Sequence, residues 1–462
     1  MNLNHEALTV RVHEAGRFFE DATGAPFFWL ADTAWMLFNK LTEAEARRLF
    51  ANRADKGFTA VQAVVFRDLF EPNTPNVAGV RPFASDADLH AARLNPAWLD
   101  HVVAVTRAAS EHGLVMGLLP TWGDKWNEHS NSAGPVIFDR DNARRYGRDL
   151  SDALGDCANV VWIMGGDSRL ARHDHVRVLR AMAEGIREGA SGSRLMTFHP
   201  PGSGSSEALH AEPWLDFHAV QTGHGRLNPP NYFTIERLFN LQPPRPCMEM
   251  ECTYEWMPVG ISQQDGVPPE RRARFEAYDV RKSYYRSVLA GGAGFTYGCE
   301  AIRQVHRSGD RPHAWDGRGL ATWDEGLAAP GASQLDPLKR LLLERPFFSR
   351  APAQELLMPY RTAGAWADGL TIGAPMLEGV NVDPASHIRI ARCRDGRYLF
   401  AYLPIRQSLK LDTSPLASRR LRISVYDPET GETTASWEQA NTGELVYLPT
   451  RILDTLLVID AL

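Results

Sequence analysis

Between residues 27 and 300 one unit recurs: a short apolar, β-branched run, a loop rich in Trp, His, Gly and Asp, and a helical stretch. Alternation of that kind commits a chain to parallel strands joined by crossover helices. Eight runs qualify, at residues 27–35, 59–66, 115–122, 160–167, 195–200, 216–224, 245–251 and 293–300. Eight such strands close into a barrel. They read as nearly continuous apolar segments, as strands must when both faces of the sheet are covered. The intervening helices carry end signals. Thr42 followed by Glu45 is a capping box, and Asn95-Pro96 supplies N-cap and N1 of a helix. That helix has an apolar face of Trp98, Leu99, Val102, Val103 and Val105 and stops at Gly113. The expected fold is α/β, a (β/α)8 TIM barrel.

The pattern changes after a last helix over residues 334–348. Short strand-like runs follow at 387–393, 398–404, 421–427, 443–449 and 454–460. Turn signals such as Arg394-Asp395-Gly396 and Asp427-Pro428-Glu429-Thr430-Gly431 separate them. This predicts a small antiparallel β-sandwich domain, with the boundary near Arg345-Pro346: a barrel over 1–348 and the sandwich over 349–462. The five cysteines form no CxxC pair and are odd in number, which fits reduced core thiols. Fifty basic side chains against 56 acidic ones, with no long run of either sign, argue against a nucleic-acid partner. No run is apolar enough to cross a membrane and the N-terminus lacks the apolar core of an export signal, so the expected compartment is cytoplasmic.

Candidate chemistry collects at the C-terminal ends of the barrel runs, where βα loops converge and barrel active sites lie. Asp32, Trp35, Trp122, Asp124, Asp167, His199, Gln221, His224, Glu251, Tyr254 and Glu300 all fall there. The fourth run delivers Gly165 and Gly166 before Asp167, removing bulk where a ligand could approach; a helix cap for residues 168–173 explains that aspartate equally well. The seventh carries Glu249 and Glu251, two residues apart in an apolar segment. Glu251 is nearer the strand end and is the better candidate, with Glu249 and Glu255 as structural partners. Strands four and seven lie on opposite parts of an eight-stranded ring, so Asp167 and Glu251 can face each other across a substrate. Two flanking carboxyls are what glycoside hydrolysis requires. Trp35, Trp122, Trp126, Trp162, Tyr254 and Tyr297 offer flat faces for sugar rings, although Trp162 lies inside its strand. His199, His218 and His224 show no HxH or HExxH pattern, so hydrogen bonding to sugar hydroxyls or orienting the carboxylates explains them more simply than a metal. No GxSxG elbow or phosphate loop is present, and no cofactor is expected.

Five segments together resemble the apiosidase-like glycoside hydrolases, barrels followed by a small domain often labelled collagen-binding. They are residues 28–35, 117–123, 159–167, 197–200 and 294–298. The resemblance covers nearly the whole chain and implies cleavage of glycosidic bonds, the founding activity being release of apiose from a pectin side chain. It implies that Asp167, in Gly165-Gly166-Asp167, is the acid/base and that Glu251, in Glu251-Cys252-Thr253-Tyr254-Glu255, is its partner. Cys252 stands where the family has proline, and residues 255–272 read as a loop of their own, so the substrate pocket is expected to differ. Many members are secreted, whereas this chain lacks an export signal, which points to a small oligosaccharide or glycoside as substrate.

The reading is therefore a cofactor-independent, exo-acting glycoside hydrolase on a pentose-like sugar such as apiose or arabinofuranose, expected to act by a two-carboxylate, retaining mechanism. Asp167 and Glu251 are the catalytic pair, and Asp32, Trp35, Trp122, His199, Gln221, His224, Tyr254 and Tyr297 are substrate contacts. The alternatives are a carbohydrate-binding protein without turnover and a metal-dependent hydrolase.

Overall fold

The computed structural model describes residues 8–67, 73–130, 134–260, 264, 266–310, 320–358 and 384–462. The expected loop at 255–272 thus falls partly outside the described residues. All eight barrel strands form: β1 (Trp29–Thr33), β2 (Ala60–Val64), β3 (Val115–Leu119), β4 (Val160–Gly165), β5 (Met196–His199), β6 (His218–Gln221), β7 (Cys247–Glu251) and β8 (Gly294–Tyr297). They are hydrogen-bonded in the order β5-β4-β3-β2-β1-β8-β7-β6, all parallel. Between the two ends of that order the ring is drawn together by Asp216, whose N–H donates to the Met196 carbonyl (2.8 Å), and by the Thr197 hydroxyl, which donates to the Phe217 carbonyl (2.6 Å). Every strand residue is buried, as the continuous apolar runs require.

The first crossover helices are α1 (Glu43–Asp55), α2 (Pro96–Glu111), α3 (Arg140–Ala153) and α4 (His173–Glu188). The α1 capping box is complete, with Thr42 accepting from the Glu45 N–H and Glu45 reaching back to the Thr42 N–H. Asn95 caps α2, which buries Trp98, Val102 and Val105 and leaves Leu99 and Val103 only half-buried. The β5–β6 connection is an exception to the alternation. Its only helical element is the single 3-10 turn Ser206–Leu209.

By its contacts the chain forms two compact units, the first of residues 1–225, 241–275 and 293–329, the second of 226–240, 276–292 and 330–462. Among its described residues the second unit contains α5 (Asn231–Phe239), α6 (Ala277–Leu289), α7 (Asp336–Leu343) and eight antiparallel strands. These are β9 (Arg350–Pro352), β10 (Arg389–Cys393), β11 (Tyr398–Leu403), β12 (Leu409–Asp412), β13 (Arg420–Tyr426), β14 (Thr433–Ala440), β15 (Glu444–Tyr447) and β16 (Thr455–Ala461). A six-stranded sheet runs β9-β10-β11-β16-β13-β14, and β12 pairs with β15. Leu409, Leu411 and Leu445 from the smaller sheet share one core with Ile390, Leu399, Ile423 and Ile459 from the larger, which makes this a sandwich. Arg281 of α6 forks onto Asp454 at 2.7 and 2.8 Å, with the Tyr402 hydroxyl on the same carboxylate. Among the described residues no helix is long and apolar enough to cross a membrane.

Candidate active site

The carboxylate at the end of β7 faces two imidazoles. Glu251 Oε2 stands 3.1 Å from His199 Nε2, at the end of β5, and Glu251 Oε1 stands 3.2 Å from His224 Nε2, just past β6. His224 Nδ1 accepts the Tyr254 N–H at 3.4 Å, which leaves Nε2 as the protonated nitrogen facing Glu251 in the neutral ring. Burial alone would raise the Glu251 pKa, but the adjacent imidazoles of His199 and His224 outweigh it and hold the carboxyl well below its usual range.

Asp167 follows β4 through an unusual backbone. Gly165, Gly166 and Asp167 have φ of +98°, +103° and +56°, three successive residues in the left-handed half of the map. A Cβ at Gly165 would meet the His199 carbonyl oxygen at 2.5 Å, and one at Gly166 would meet the Gly123 nitrogen at 2.8 Å. Both glycines are therefore required by close backbone approach as well as by φ. Residues 168–172 are not helical and α4 begins only at His173, so Asp167 is not a helix cap. Its pKa is pushed up, chiefly by burial and then by the charge of Glu251, against the opposing pull of His199, Arg67 and a hydrogen bond from Gln221. The Gly202 N–H also points at its Oδ1 (3.3 Å). The two carboxyls thus feel each other directly and are driven in opposite directions.

Aromatic side chains wall the same rim. The Trp35 ring meets Trp122 edge to face at 5.3 Å and His199 at 5.3 Å, and Tyr254 lies against His224 at 4.4 Å. Trp162 is wholly buried within β4. Trp126 presents its edge to His175 and donates its indole N–H to the Gly165 carbonyl (3.1 Å). Of the expected contacts, the structure gathers Trp35, Trp122, His199, Gln221, His224 and Tyr254 around Asp167 and Glu251. Two are corrected. Asp32 is fully buried, with one carboxylate oxygen taking Arg53 Nε of α1 (2.6 Å) and the other its neighbour Thr33 N–H (2.8 Å). The Tyr297 hydroxyl donates to Glu255 at 2.5 Å, and the ring packs beside Phe58 and the Arg53 guanidinium. Their polar atoms are committed inside the protein, that of Asp32 to the arginine α1 brings beneath the rim and that of Tyr297 to Glu255. Glu249 accepts from the Thr222 N–H (2.9 Å) and hydroxyl (3.0 Å), as a structural partner would.

Arg67 was not found from sequence. Its guanidinium lies over the Trp122 ring at 3.6 Å, it is 9 % exposed, and it makes no ion pair with a described residue. Burial, with repulsion from Arg303, lowers its pKa to about 10, opposed by the fields of Glu251, Asp167 and Asp124. The available signal was its place immediately after the second apolar run, the same strand-end position that singled out the others. Two further pairs, Asp124 with Lys125 and Glu300 with Arg303, are internally neutralised. Among the described residues no three His, Cys, Asp or Glu side chains are grouped so as to hold a metal ion.

Comparison with known proteins places the fold. The family model described as "Apiosidase-like, catalytic domain" matches residues 13–349, and a collagen-binding domain model of a collagenase matches 375–460. No curated protein sequence matches. A solved structure titled as a glycoside hydrolase is 25 % identical, with a TM-score of 0.82, covering 98 % of this chain and 97 % of its own. A glycoside hydrolase family 5 structure from Bacteroides vulgatus is also 25 % identical at TM-score 0.82, covering 98 % and 93 %. With its barrel matched almost end to end, the chain belongs to the apiosidase-like family and is a glycoside hydrolase.

Proposed function

We propose that this hydrolase releases a terminal pentose-like sugar, such as apiose or arabinofuranose, from a small oligosaccharide or glycoside by a retaining mechanism, with Asp167 as acid/base and Glu251 as nucleophile. The observation that carries the reading is the placement of two imidazoles on Glu251, at 3.1 and 3.2 Å, while Asp167 stands on the strained Gly165-Gly166 turn at the end of β4. Burial and the Glu251 charge raise the Asp167 pKa while that of Glu251 is lowered, a split that favours Asp167 as the acid and Glu251 as the nucleophile.

In the first step Glu251 attacks the anomeric carbon while the C–O bond to the leaving group breaks, and Asp167 gives its proton to the departing oxygen. In the second, the Asp167 carboxylate takes a proton from water, the hydroxyl adds to the anomeric carbon, and the ester bond to Glu251 breaks. His199 and His224 keep the nucleophile ionised, and Arg67 favours the charged carboxylate that leaves at the end of the cycle. Trp122, backed by the buried Trp35 and Tyr254, forms the wall toward which the sugar's C–H face turns, and Gln221 positions the acid. Exo action is supported by how closed the site is, with Glu251 only 7 % exposed and Trp122 3 %.

The test is a panel of nitrophenyl glycosides including apiosides and arabinofuranosides, read by nitrophenol release and by NMR of the first-formed anomer. Release with the anomer retained supports the proposal. Binding without release would make the protein a lectin-like barrel, and an inverted anomer would replace the nucleophile by a general base.

A further inference from the structure

The loop after β3 and the loop after β4 are joined by a run of contacts that all converge on the backbone carrying Asp167. The Gly123 N–H donates to the Gly166 carbonyl (2.9 Å), and the buried Trp126 indole N–H donates to the Gly165 carbonyl (3.1 Å). Further out, Asn127 Nδ2 donates to the Arg169 carbonyl (2.9 Å), the Ser168 hydroxyl meets that of Ser130 (2.9 Å), and Glu128 takes Arg172 (2.5 Å) and His175 (3.2 Å). Between these anchors lies the stretch of three positive φ angles ending in a residue with a Cβ, a conformation that persists only where its surroundings over-determine it. The sequence suggested that Trp126 stacks on sugar. Its ring instead contacts His175, and its one polar atom is spent on Gly165.

We propose that Trp126 is a positioning residue for the acid/base, and that the β3 loop, residues 123–130, is a clamp setting where the Asp167 carboxyl sits over the scissile bond. The proposal rests on the assignment of Asp167 given above. The indole N–H and the Gly123 N–H hold the two carbonyls that precede Asp167, so the direction of its side chain is fixed from the neighbouring loop and not from its own strand. A displaced acid fails to protonate the leaving group yet leaves Glu251 in place. The loss therefore depends on how much the leaving group needs a proton.

The experiment compares Trp126→Phe, which keeps a ring and removes the N–H, with wild type and Asp167→Ala. The substrates are phenyl and dinitrophenyl arabinofuranosides and apiosides, and the crystal structure of the variant is determined alongside. For Trp126→Phe we expect kcat/KM to fall about 10- to 100-fold on the phenyl glycosides, which need acid assistance, and less than about threefold on the dinitrophenyl ones. In its crystal structure Asp167 should have left its positive φ or shifted its carboxyl by about an ångström. Equal losses on both leaving groups, or an unmoved Asp167, would overturn the clamp. If Asp167→Ala itself shows no leaving-group dependence, the acid/base assignment fails instead, and the two failures are told apart. Should Trp126→Phe not fold, Asn127→Ala carries the same two readouts, with the loss on phenyl glycosides again exceeding that on dinitrophenyl ones.

Discussion

Asp167 and Glu251 have nearly the same intrinsic acidity, and everything that separates them comes from what the fold places beside them. His199 and His224 arrive from strands five and six to face Glu251. Replacing His224 with Ala removes one of the two groups that depress the Glu251 pKa. We expect the acidic limb of the pH–rate profile to move to higher pH, and an unmoved limb would contradict the role given to the imidazole. The sign for stability follows from the same tuning. Glu251, depressed in the folded state, contributes stability that is present above its unfolded pKa and lost as pH falls through the lower folded value. Asp167, raised when folded, favours the fold only below its unfolded pKa, and that contribution is lost as pH rises through the raised value. Above its unfolded pKa the raised folded value disfavours the fold, so Asp167→Asn should stabilise the protein by about 1 kcal/mol in a denaturant melt while abolishing activity. At this scale the sequence made both carboxylates legible, because acids at the ends of apolar strands are rare. It misjudged Asp32 and Tyr297, whose partners Arg53 and Glu255 come from segments that no local pattern connects to them. Arg67 escaped notice because a lone arginine after a strand looks like an ordinary strand terminator.

Elements were legible where periodicity was strong. The eight barrel strands, the Thr42 capping box and the Asn95-Pro96 helix start all form as the residues imply. β14 was missed because its residues Thr433–Ala440 are polar and largely exposed on both faces, leaving no alternation to read. β9 is only three residues long, and β12 was passed over although its four residues alternate buried and half-buried. The turn from β4 into its loop is where an element and the site meet. Gly166→Ala would force a Cβ against the Gly123 nitrogen at 2.8 Å and onto a φ of +103°. We expect a cost of about 1–3 kcal/mol in thermal or urea unfolding together with a loss of activity beyond that explained by unfolding. Thr42→Ala, which removes the N-cap of α1, should cost about 1 kcal/mol and leave kcat unchanged. The pair distinguishes a backbone device of the site from ordinary helix capping.

For the whole molecule, the sequence indicated a barrel and then a sandwich, and both form. What it could not show is that α5 and α6, which follow β6 and β7 in the chain, group by their contacts with the C-terminal strands. The reason is a set of long-range charged contacts. Arg281 on α6 is 2 % exposed and is neutralised by Asp454, and Arg389 on β10 pairs with Glu236 on α5 at 2.6 Å. Asp454→Ala would strand a buried guanidinium and should cost about 3–5 kcal/mol, read as a marked fall in melting temperature. We propose that the catalytic sequence ends near residue 348. Because both proposed chemical steps use only carboxyls and water, activity should survive dialysis against EDTA; its loss and recovery with added metal would favour a metal hydrolase.

The most direct measurement is turnover by Glu251→Gln and by Asp167→Asn on the best substrate of the glycoside panel, with folding checked by melting temperature. A drop of about a thousandfold or more in each, in protein that melts no lower than wild type, is the predicted result. Near-normal turnover by either variant would contradict the two-carboxylate account.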